Sequence, residues 1–531
     1  MAGLRKQRLF ALGLVVVMLL GLSVTVAGCG KKKNANTLVF GSPYGPKTFD
    51  PAFVTEQGGM DVNGMVFDSL MTRTPDNQMI PRLALSYENP DPTTWIFHLR
   101  QGAYWQDDNA VFAKGKAPEV TADDIVYTVK RLLDPATKSP RKALVDSVQD
   151  VVAVDKYTAK ITTKTPDAFF LTNIGELPIV NKTVVDTLGA DKFGHDPIGS
   201  GPFKFVEYVP DSHVTLTRND RYYIKPNLQT VTYKIIPDQN TLYVSLESGD
   251  VDAIEITPQQ QLAAAKANPD FKVLENGMWA YRYAAFNCKD PLFTDPKVRQ
   301  AIAMSVDLDG ALTAIFPDGS AIRAHGPVPP KISGYDETLK DLWQYNPDKA
   351  KQTLADLGWK DHDGDGILDK NGKPFEFSIE APANDTPRIK FAVVISEGLK
   401  AIGVKGNVKT VEWGTLISDM DNAKTQMYVV GGFSGASGMK MLFSTATQGS
   451  AGNNSFYSNP QVDRLLEEGS QATDPATHEQ IWKQAQRIIV GDWVHIPLYF
   501  QMWYTTTSSK VHDFWPSFTL VSTQNNCSVD R

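Results

Sequence analysis

Short β-rich segments alternate along the chain with segments that carry strong helix-start signals, and no other feature limits the fold as much. Four predicted helices begin with an Asp or Asn that can cap the helix, followed by a Pro at the first helical position. These pairs lie at 295–296, 346–347, 459–460 and 474–475. The predicted strands lie at 38–40, 94–99, 214–217, 231–236, 281–286, 375–379, 428–430 and 496–500. Strands interleaved with helices predict α/β lobes.

Two further signals refine the helix boundaries. Thr121 and Asp124 resemble a capping box, which would open a helix over 125–133. Gly358 is expected to end the helix that begins at Pro347. The Gly-rich stretch 431–438 is predicted to be a loop in which the backbone comes close to another group.

Length and charge limit the class of protein. A chain of 531 residues predicts two to four lobes. It carries 53 Lys and Arg against 60 Asp and Glu, a net charge of −7, which argues against a nucleic-acid partner. Its three cysteines are too few for a disulfide-built scaffold. Cys288 and Cys527 are expected to be two separate thiols, although the sequence leaves a disulfide between them open.

The N-terminus predicts export and lipid attachment. Residues 1–28 combine a basic start with an apolar stretch over 10–22 and read as a signal peptide. Val26-Ala27-Gly28-Cys29 resembles a bacterial lipobox, so Cys29 is the predicted lipidation site and 29–35 a tether. An uncleaved anchor with an incidental cysteine is the alternative. We therefore expect a protein held by lipid at the extracytoplasmic face of the cell membrane, in the periplasm or on the cell surface.

Sequence motifs of enzymes are absent. The chain contains no G-x-S-x-G, no H-E-x-x-H and no G-x-x-x-x-G-K-[ST], and no two histidines are spaced i, i+4. We expect no catalytic residue and no enzyme activity.

One acidic loop has the chemistry of a cation site. Asp361, Asp363, Asp365 and Asp369 occupy positions 1, 3, 5 and 9 of an EF-hand-like loop, but the twelfth position is Gly372 instead of an acid. The alternative is a turn in which these acids accept hydrogen bonds from backbone amides. We expect no cofactor, with calcium at this loop left open.

Five stretches, spread over most of the chain after the signal peptide, resemble the family 5 extracellular solute-binding proteins, the dipeptide-, oligopeptide- and nickel-binding proteins of ABC importers. They are 83–87 with 94–107 and 121–127; 197–203; 286–287 with 291–301; 345–359 with the acidic loop; and 459–463 with 496–499. Within the second stretch, Gly199-Ser200-Gly201-Pro202-Phe203 is similar to the family's G-[ST]-G-P-[YF] turn.

The resemblance implies a two-lobed, hinged α/β fold of the periplasmic-binding-protein type II, with an extra subdomain on lobe I. Lobe I would comprise 36–75, 199–280 and 505–531, the extra subdomain 76–198, and lobe II 281–504. The chain would cross between the lobes near Tyr281 and Tyr504, which are the hinge candidates.

The implied function is capture of peptides, or similar small polar solutes, in the cleft between the lobes and delivery to an ABC transporter permease with its ATPase subunits. We expect a monomer. The alternatives are the same fold binding an oligosaccharide or a metal chelate, or a surface lipoprotein that acts as a sensor, a chaperone or an unrecognised hydrolase.

The resemblance also implies which residues line the cleft. They are Tyr44, Glu56 and Gln57 on lobe I, and Asn384, Asp385, Trp413, Phe433 and Ser434 on lobe II. Solvated loop positions, and core packing for the two aromatic residues, are the competing interpretations. No acid lies between Asp421 and Asp463, so the acid that binds the ligand amine in dipeptide-type relatives is missing here.

Overall fold

The structure is a computed structural model that describes residues 36–74, 78–330, 332–432, 434–449, 452–516 and 526–530, with 276–279 described by backbone alone. Two predicted site residues, Cys29 and Phe433, lie outside the described residues.

The described residues form twenty-one strands. They are β1 (Thr37–Ser42), β2 (Met71–Arg73), β3 (Met79–Pro81), β4 (Ala84–Asp91), β5 (Thr94–Leu99), β6 (Val148–Asp155), β7 (Thr158–Thr163), β8 (Phe203–Val209), β9 (His213–Arg218), β10 (Thr230–Ile235), β11 (Ala253–Ile254), β12 (Phe271–Phe286), β13 (Ala321–Arg323), β14 (Asp369–Lys370), β15 (Lys373–Pro374), β16 (Glu376–Pro382), β17 (Lys405–Val411), β18 (Met427–Gly432), β19 (His495–Ser508), β20 (Val511–His512) and β21 (Ser528–Val529). Each of the eight predicted strands is confirmed.

Fourteen α-helices lie among the described residues. They are α1 (Gln57–Val66), α2 (Ala122–Leu133), α3 (Phe170–Gly175), α4 (Lys182–Phe193), α5 (Gln239–Glu247), α6 (Leu262–Ala267), α7 (Pro296–Met304), α8 (Leu308–Ile315), α9 (Pro347–Asp356), α10 (Thr386–Ala401), α11 (Trp413–Asp421), α12 (Gly435–Phe443), α13 (Pro460–Gln471) and α14 (Pro475–Gly491). Short 3-10 turns lie at Lys142–Leu144, Gln259–Gln261, Glu337–Leu342 and Thr445–Thr447.

The predicted helix starts are confirmed by their hydrogen bonds. All four Asx-Pro pairs cap a helix; the Asp295 carboxylate, for example, accepts from the Lys297 amide at 2.8 Å. At α2 the Asp124 carboxylate accepts from the Thr121 amide at 2.8 Å, as a capping box requires. Gly358 follows α9 with φ 86°, a left-handed conformation that favours glycine.

Most strands belong to one eleven-stranded sheet. Its order is β17-β16-β18-β12-β19-β11-β1-β10-β9-β8, with β13 also pairing with β19. The two long strands, β12 and β19, pair with each other and run through both halves of this sheet. Their register shifts between Glu275 and Trp279, so regular pairing is interrupted where the two halves meet.

The predicted crossings, Tyr281 and Tyr504, lie in β12 and β19 on either side of this irregularity, where Glu275 pairs with Tyr504 and Tyr281 with Phe500. The predicted lobe boundaries stay a prediction. For clarity we call the half with β1, β10 and β11 the first lobe, and the half with β16, β17 and β18 the second lobe.

Each part has its own apolar core. In the second lobe, Phe377, Ile379 and Val429 are at most 2% exposed and pack beneath α10. Burying side chains of this kind contributes about 1.5–3 kcal/mol each. A separate four-stranded sheet, β4-β5-β7-β6, packs with α2 around Phe97 and Trp105, inside the segment predicted as the extra subdomain.

Two other expectations have an outcome. The stretch 431–438 is not a continuous loop: the backbones of Gly431 and Gly432 pair with β12 and belong to β18, and α12 begins at Gly435. Cys288 and Cys527 are both free thiols, as predicted.

Within the described ranges, none of the helices combines the length and hydrophobicity needed to cross a bilayer.

Candidate ligand-binding cleft

The carboxyl ends of the parallel strands in the two lobes face each other. In the first lobe, β1 and β11 run parallel and end at Ser42 and Ile254. In the second lobe, β16 and β18 run parallel and end at Pro382 and Gly432. Since β12 runs antiparallel to β18 and to β19, and β19 antiparallel to β11, these two sets of strands point toward each other. Ligands of open α/β sheets bind outside the carboxyl ends of the strands, so this gap is the candidate cleft.

A buried carboxyl group, that of Glu255, lies on the first-lobe side of the cleft. The Ser42 hydroxyl donates to the Glu255 carboxylate, and Glu255 is buried directly after β11. Burial raises the pKa of Glu255 to about 7, although the hydrogen bond from Ser42 lowers it. Below about pH 7 this carboxyl group is therefore largely protonated.

Tyr44 lies beside this acid, and its contact with a ligand stays a prediction. Burial raises the pKa of Tyr44, and the carboxyl groups of Glu255 and Asp61 raise it further. The Tyr233 hydroxyl contacts Asp61 Oδ2 at 3.0 Å and the Tyr44 carbonyl oxygen at 3.0 Å, which ties the loop after β1 to the sheet.

The second-lobe side of the cleft is basic. Arg282 lies in β12 opposite Gly431 of β18, and a Cβ added to Gly431 would lie 2.1 Å from Arg282 Nη1. The guanidinium therefore occupies the space of the missing side chain, which confirms that the backbone at Gly431 is approached closely. Arg282 Nη2 donates to Gln501 Oε1 at 3.4 Å, and its Nε is buried without a hydrogen-bond partner among the described residues.

A second arginine adds to this charge. Burial lowers the pKa of Arg282, and the like charge of Arg388 lowers it further. Arg388 lies 5.7 Å from the centre of the Trp413 ring, and Trp413 is 41% exposed. An exposed tryptophan beside a guanidinium offers a flat surface on which a ligand can stack.

Asp385 belongs to this group, but its oxygens have partners within the protein. Oδ1 accepts from the Arg388 amide at 3.0 Å, which caps α10, and Oδ2 contacts Arg388 Nε at 3.0 Å. The structure thus brings Asp385 and Trp413 together through Arg388, while contact of either residue with a ligand stays a prediction.

The remaining predicted cleft residues are placed as follows. The Glu56 carboxylate accepts from the Lys47 and Thr55 amides, which closes a local loop. Gln57 begins α1, and its side chain donates to Asp61 at 2.8 Å. Asn384 is exposed in the turn before α10, and Ser434 is partly buried directly before α12. Their contact with a ligand stays a prediction.

The acidic loop brings three of its four predicted ligands together. Asp361, Asp363 and Asp365 each place a carboxylate oxygen within 4.8 Å of the others. Both Asp361 oxygens accept from backbone amides, those of Gly364 and Gly366, as the turn interpretation expects. Asp369 instead accepts from the His362 amide at 3.0 Å. Calcium binding stays a prediction, which calorimetry with millimolar Ca²⁺ tests.

The sequence model of the bacterial extracellular solute-binding proteins, family 5, matches residues 78–454. The chain belongs to this family. It is 30% identical over 521 residues to the oligopeptide-binding protein AppA of Bacillus subtilis, which covers 93% of this chain and 94% of that protein.

Solved structures confirm the predicted fold class. The solute-binding protein resembles HbpA2 from Haemophilus parasuis with a TM-score of 0.80 and 25% identity, covering 93% of this chain and 100% of that one. It also resembles the periplasmic binding protein DppA from Helicobacter pylori, solved with the peptide STSA, with a TM-score of 0.74 and 25% identity; the match covers 93% of this chain and 98% of that one.

Sequence reasoning did not single out three ionisable residues that lie at or near the carboxyl ends of these strands: Arg282, Arg388 and Glu255. One signal was available for Arg282, which is the only charge in the apolar segment 281–286. A lone charge in a strand that is otherwise apolar is unusual, because burying it without a partner is costly.

Proposed function

We propose that this solute-binding protein captures peptides, or similar small polar solutes, between its two lobes and delivers them to the permease of an ABC importer. Relatives that carry the names of peptide-binding proteins, and the structure of one of them with a bound peptide, support this proposal. The observation that carries it is that the parallel strands of the two lobes point their carboxyl ends toward each other along β12 and β19.

Capture works by closure. Two long strands connect the lobes, and an interruption in their pairing is a place where the backbone can absorb a rotation. A ligand that contacts both lobes favours the closed form by the difference between its affinities for the closed and open forms. The captured molecule is not changed chemically.

The test is native mass spectrometry of residues 30–531 purified from cells grown in rich medium. We expect an additional mass of a few hundred daltons that is released on mild denaturation and can be sequenced as peptide. Added peptide should also stabilise the protein, by about 2.7 kcal/mol at one hundred times Kd. A protein that is stabilised by oligosaccharides or metal chelates but by no peptide would contradict the proposal.

The proposed place of action is the outer face of the cytoplasmic membrane, with lipid on Cys29. The run Val26-Ala27-Gly28-Cys29 after an apolar segment supports this. We expect the wild-type protein to sediment with membranes and the Cys29→Ser variant not to be lipidated, as metabolic labelling with a fatty acid would show. Cys288→Ser is the matched control, and equal labelling of wild type and Cys29→Ser would contradict the assignment.

A further inference from the structure

We infer that a basic surface on the first lobe, at the end opposite the cleft, docks on anionic lipid headgroups of the membrane. We call this surface the basic end; it consists of the loops 107–116 and 218–228 together with Lys204. The inference goes beyond the capture of a solute. It rests on the proposed lipid attachment of Cys29 for the distance between this surface and the membrane.

The basic end lies at the edge of the sheet where the described chain begins. The Gln229 amide donates to the Asn36 carbonyl oxygen at 2.7 Å, directly before the parallel strands β10 and β1. At the same edge β9 ends at Arg218, which pairs with Phe203 at the start of β8. Since the cleft lies at the carboxyl ends of β1 and β11, this edge is the opposite end of the first lobe.

The length of the tether keeps this edge near the lipid. Residues 29–35 separate the predicted lipidation site from Asn36, and seven residues span at most about 25 Å in any conformation. The tether also carries three lysines, at 31–33. A lipid on Cys29 would therefore hold the basic end close to the membrane surface.

An acid that is shared between two cations joins the two loops into one surface. Asp107 is 4% exposed; its Oδ1 contacts Lys204 Nζ at 3.0 Å and its Oδ2 contacts Arg221 Nη1 at 3.1 Å. The Asp107 carboxylate also accepts from the Gly115 amide at 2.6 Å, which fixes the tip of the loop 107–116. The charges of both loops consequently lie side by side.

Positive charge exceeds negative charge on this surface. Lys114 and Lys116 are exposed and form no ion pair with any described residue. Asp220 is shared, with Arg218 Nε at 2.8 Å and Lys225 Nζ at 3.7 Å from its Oδ1. The basic end holds six Lys and Arg against three Asp, a net charge of +3, whereas the whole chain carries −7. Clusters of Lys and Arg of this kind are attracted to anionic lipid surfaces.

An exposed apolar side chain accompanies these charges. Ile224 is 48% exposed and directly precedes Lys225 in the loop 218–228. Segments that lie at a membrane surface combine basic residues with apolar side chains that enter the headgroup region. A lipid surface fits the basic end better than a protein partner does, because the tether already holds this end near the membrane.

Docking by the basic end would set the orientation of the protein. The first lobe would stand between the membrane and the cleft, so the cleft would stay accessible to solutes. A basic patch also strengthens the hold of a lipid anchor, since the two contributions to membrane binding add up.

The experiment measures vesicle binding of residues 30–531 without the lipid, so that acyl chains contribute nothing. One set of vesicles is one quarter phosphatidylglycerol and three quarters phosphatidylcholine, and the other is phosphatidylcholine alone. We expect at least about tenfold stronger binding to the anionic vesicles at about 20 mM NaCl, and loss of this preference at about 500 mM NaCl. Flotation of the vesicles in a density gradient measures the bound fraction.

A triple variant assigns the preference to the basic end. It combines Lys114→Gln, Lys116→Gln and Lys225→Gln and should bind anionic vesicles about 10- to 100-fold more weakly. The control variant makes the same change of net charge at three exposed lysines of the second lobe, Lys349→Gln, Lys351→Gln and Lys390→Gln. It should bind as the parent does.

A single variant tests the apolar contribution. Ile224→Ser should weaken binding to anionic vesicles about fivefold without changing any charge. Val393→Ser, at a position of α10 that is 46% exposed, is its control. Ile224→Ser also keeps the test decisive should the triple variant not fold.

The outcomes separate this inference from the proposed function. Equal binding to both kinds of vesicle, or equal losses in the two triple variants, would overturn the docking surface while peptide capture stands. Peptide affinity should be unchanged in all of these variants, because the substituted residues lie away from the cleft. If the wild-type protein carries no fatty acid, the proposed attachment fails, and the vesicle measurements still decide whether the basic end binds anionic lipid.

Hydrogen exchange of the lipidated wild-type protein in the same vesicles locates the contact. We expect the amides of 107–116 and 218–228 to exchange more slowly in anionic vesicles than in phosphatidylcholine. Slower exchange that occurs only when the permease is present would assign the surface to a protein partner and overturn the inference.

Discussion

Two arginines, the buried Arg82 and the partly buried Arg282, show two different surroundings for a positive charge in this protein. Arg82 is 6% exposed, forms an ion pair with the fully buried Asp68, and donates to the Tyr222 hydroxyl at 2.8 Å. Arg282 is subject to the like charge of Arg388, and its hydrogen-bond partner Gln501, at 3.4 Å, is uncharged. Arg82 has an acid as a direct partner, whereas Arg282 has an uncharged one.

The pKa values of the two arginines are shifted in opposite directions. Burial lowers the pKa of Arg82, but the Asp68 carboxylate outweighs this and raises the pKa above its ordinary value. Burial and then Arg388 both lower the pKa of Arg282. Buried charges that serve stability are usually paired with an opposite charge, as Arg82 is with Asp68.

The largest expected effect is a loss of stability when the ion pair between Arg82 and Asp68 is broken. Arg82→Met leaves Asp68 buried without a counter-ion, and the free energy of unfolding should fall by about 3–5 kcal/mol. Urea denaturation measures this change, and Arg464→Met, which removes an exposed arginine, should change stability by less than about 0.5 kcal/mol. A loss below about 1 kcal/mol for Arg82→Met would show that this ion pair is not structural.

A second prediction concerns the acid on the opposite side of the cleft. The pKa of Glu255 is about 7 in the folded protein and its ordinary value is 4.5, so protonation of Glu255 favours the folded state. The corresponding stability is fully present below about pH 4.5 and is lost as the pH rises to about 7, a change on the order of 3 kcal/mol.

Glu255→Gln should remove this part of the pH dependence, because the amide stays neutral at every pH. Urea denaturation between pH 4.5 and pH 8 compares the two proteins, with Glu468→Gln as an exposed control. Parallel pH profiles of the Glu255→Gln variant and the parent would show that Glu255 does not titrate in this range.

A smaller effect is expected at a contact between the predicted extra subdomain and the second lobe. The Ala168 amide donates to the Ser470 carbonyl oxygen at 2.8 Å, and Phe169 packs against Trp482 and His478 with ring centres 6.3 and 6.1 Å apart. This contact lies outside the two strands that connect the lobes. We therefore expect it to break when the lobes move apart.

Phe169→Ala should therefore weaken closure. Losing this partly buried ring costs about 1–2 kcal/mol, which corresponds to a roughly 5- to 30-fold weaker ligand affinity, with faster dissociation. Stopped-flow kinetics measure the dissociation rate of a peptide that mass spectrometry has identified as a bound ligand. Leu85→Ala, at an exposed position of β4, is the control. Unchanged dissociation would mean that the contact does not contribute to closure.

The sequence predicts local structure better than it predicts the charges of the cleft. Helix starts such as Asp295-Pro296 are encoded within a few residues, and they are confirmed. The full length of β12 was missed, since polar residues such as Lys272 and Glu275 conceal a strand that only its pairing with β19 reveals. Arg282 was missed for a related reason: its neighbour Gly431 is about 150 residues away and becomes visible only through the strand register.

The smallest expected change in stability belongs to Arg282. Arg282→Met removes a partly buried charge whose hydrogen-bond partner is uncharged, and it keeps most of the side chain's apolar volume. We therefore expect the free energy of unfolding to change by less than about 1 kcal/mol or to rise. Urea denaturation of the ligand-free protein, run beside Arg82→Met, gives the comparison directly. A loss as large as that of Arg82→Met would mean that Arg282 is a structural residue, and the two arginines would then serve the same purpose.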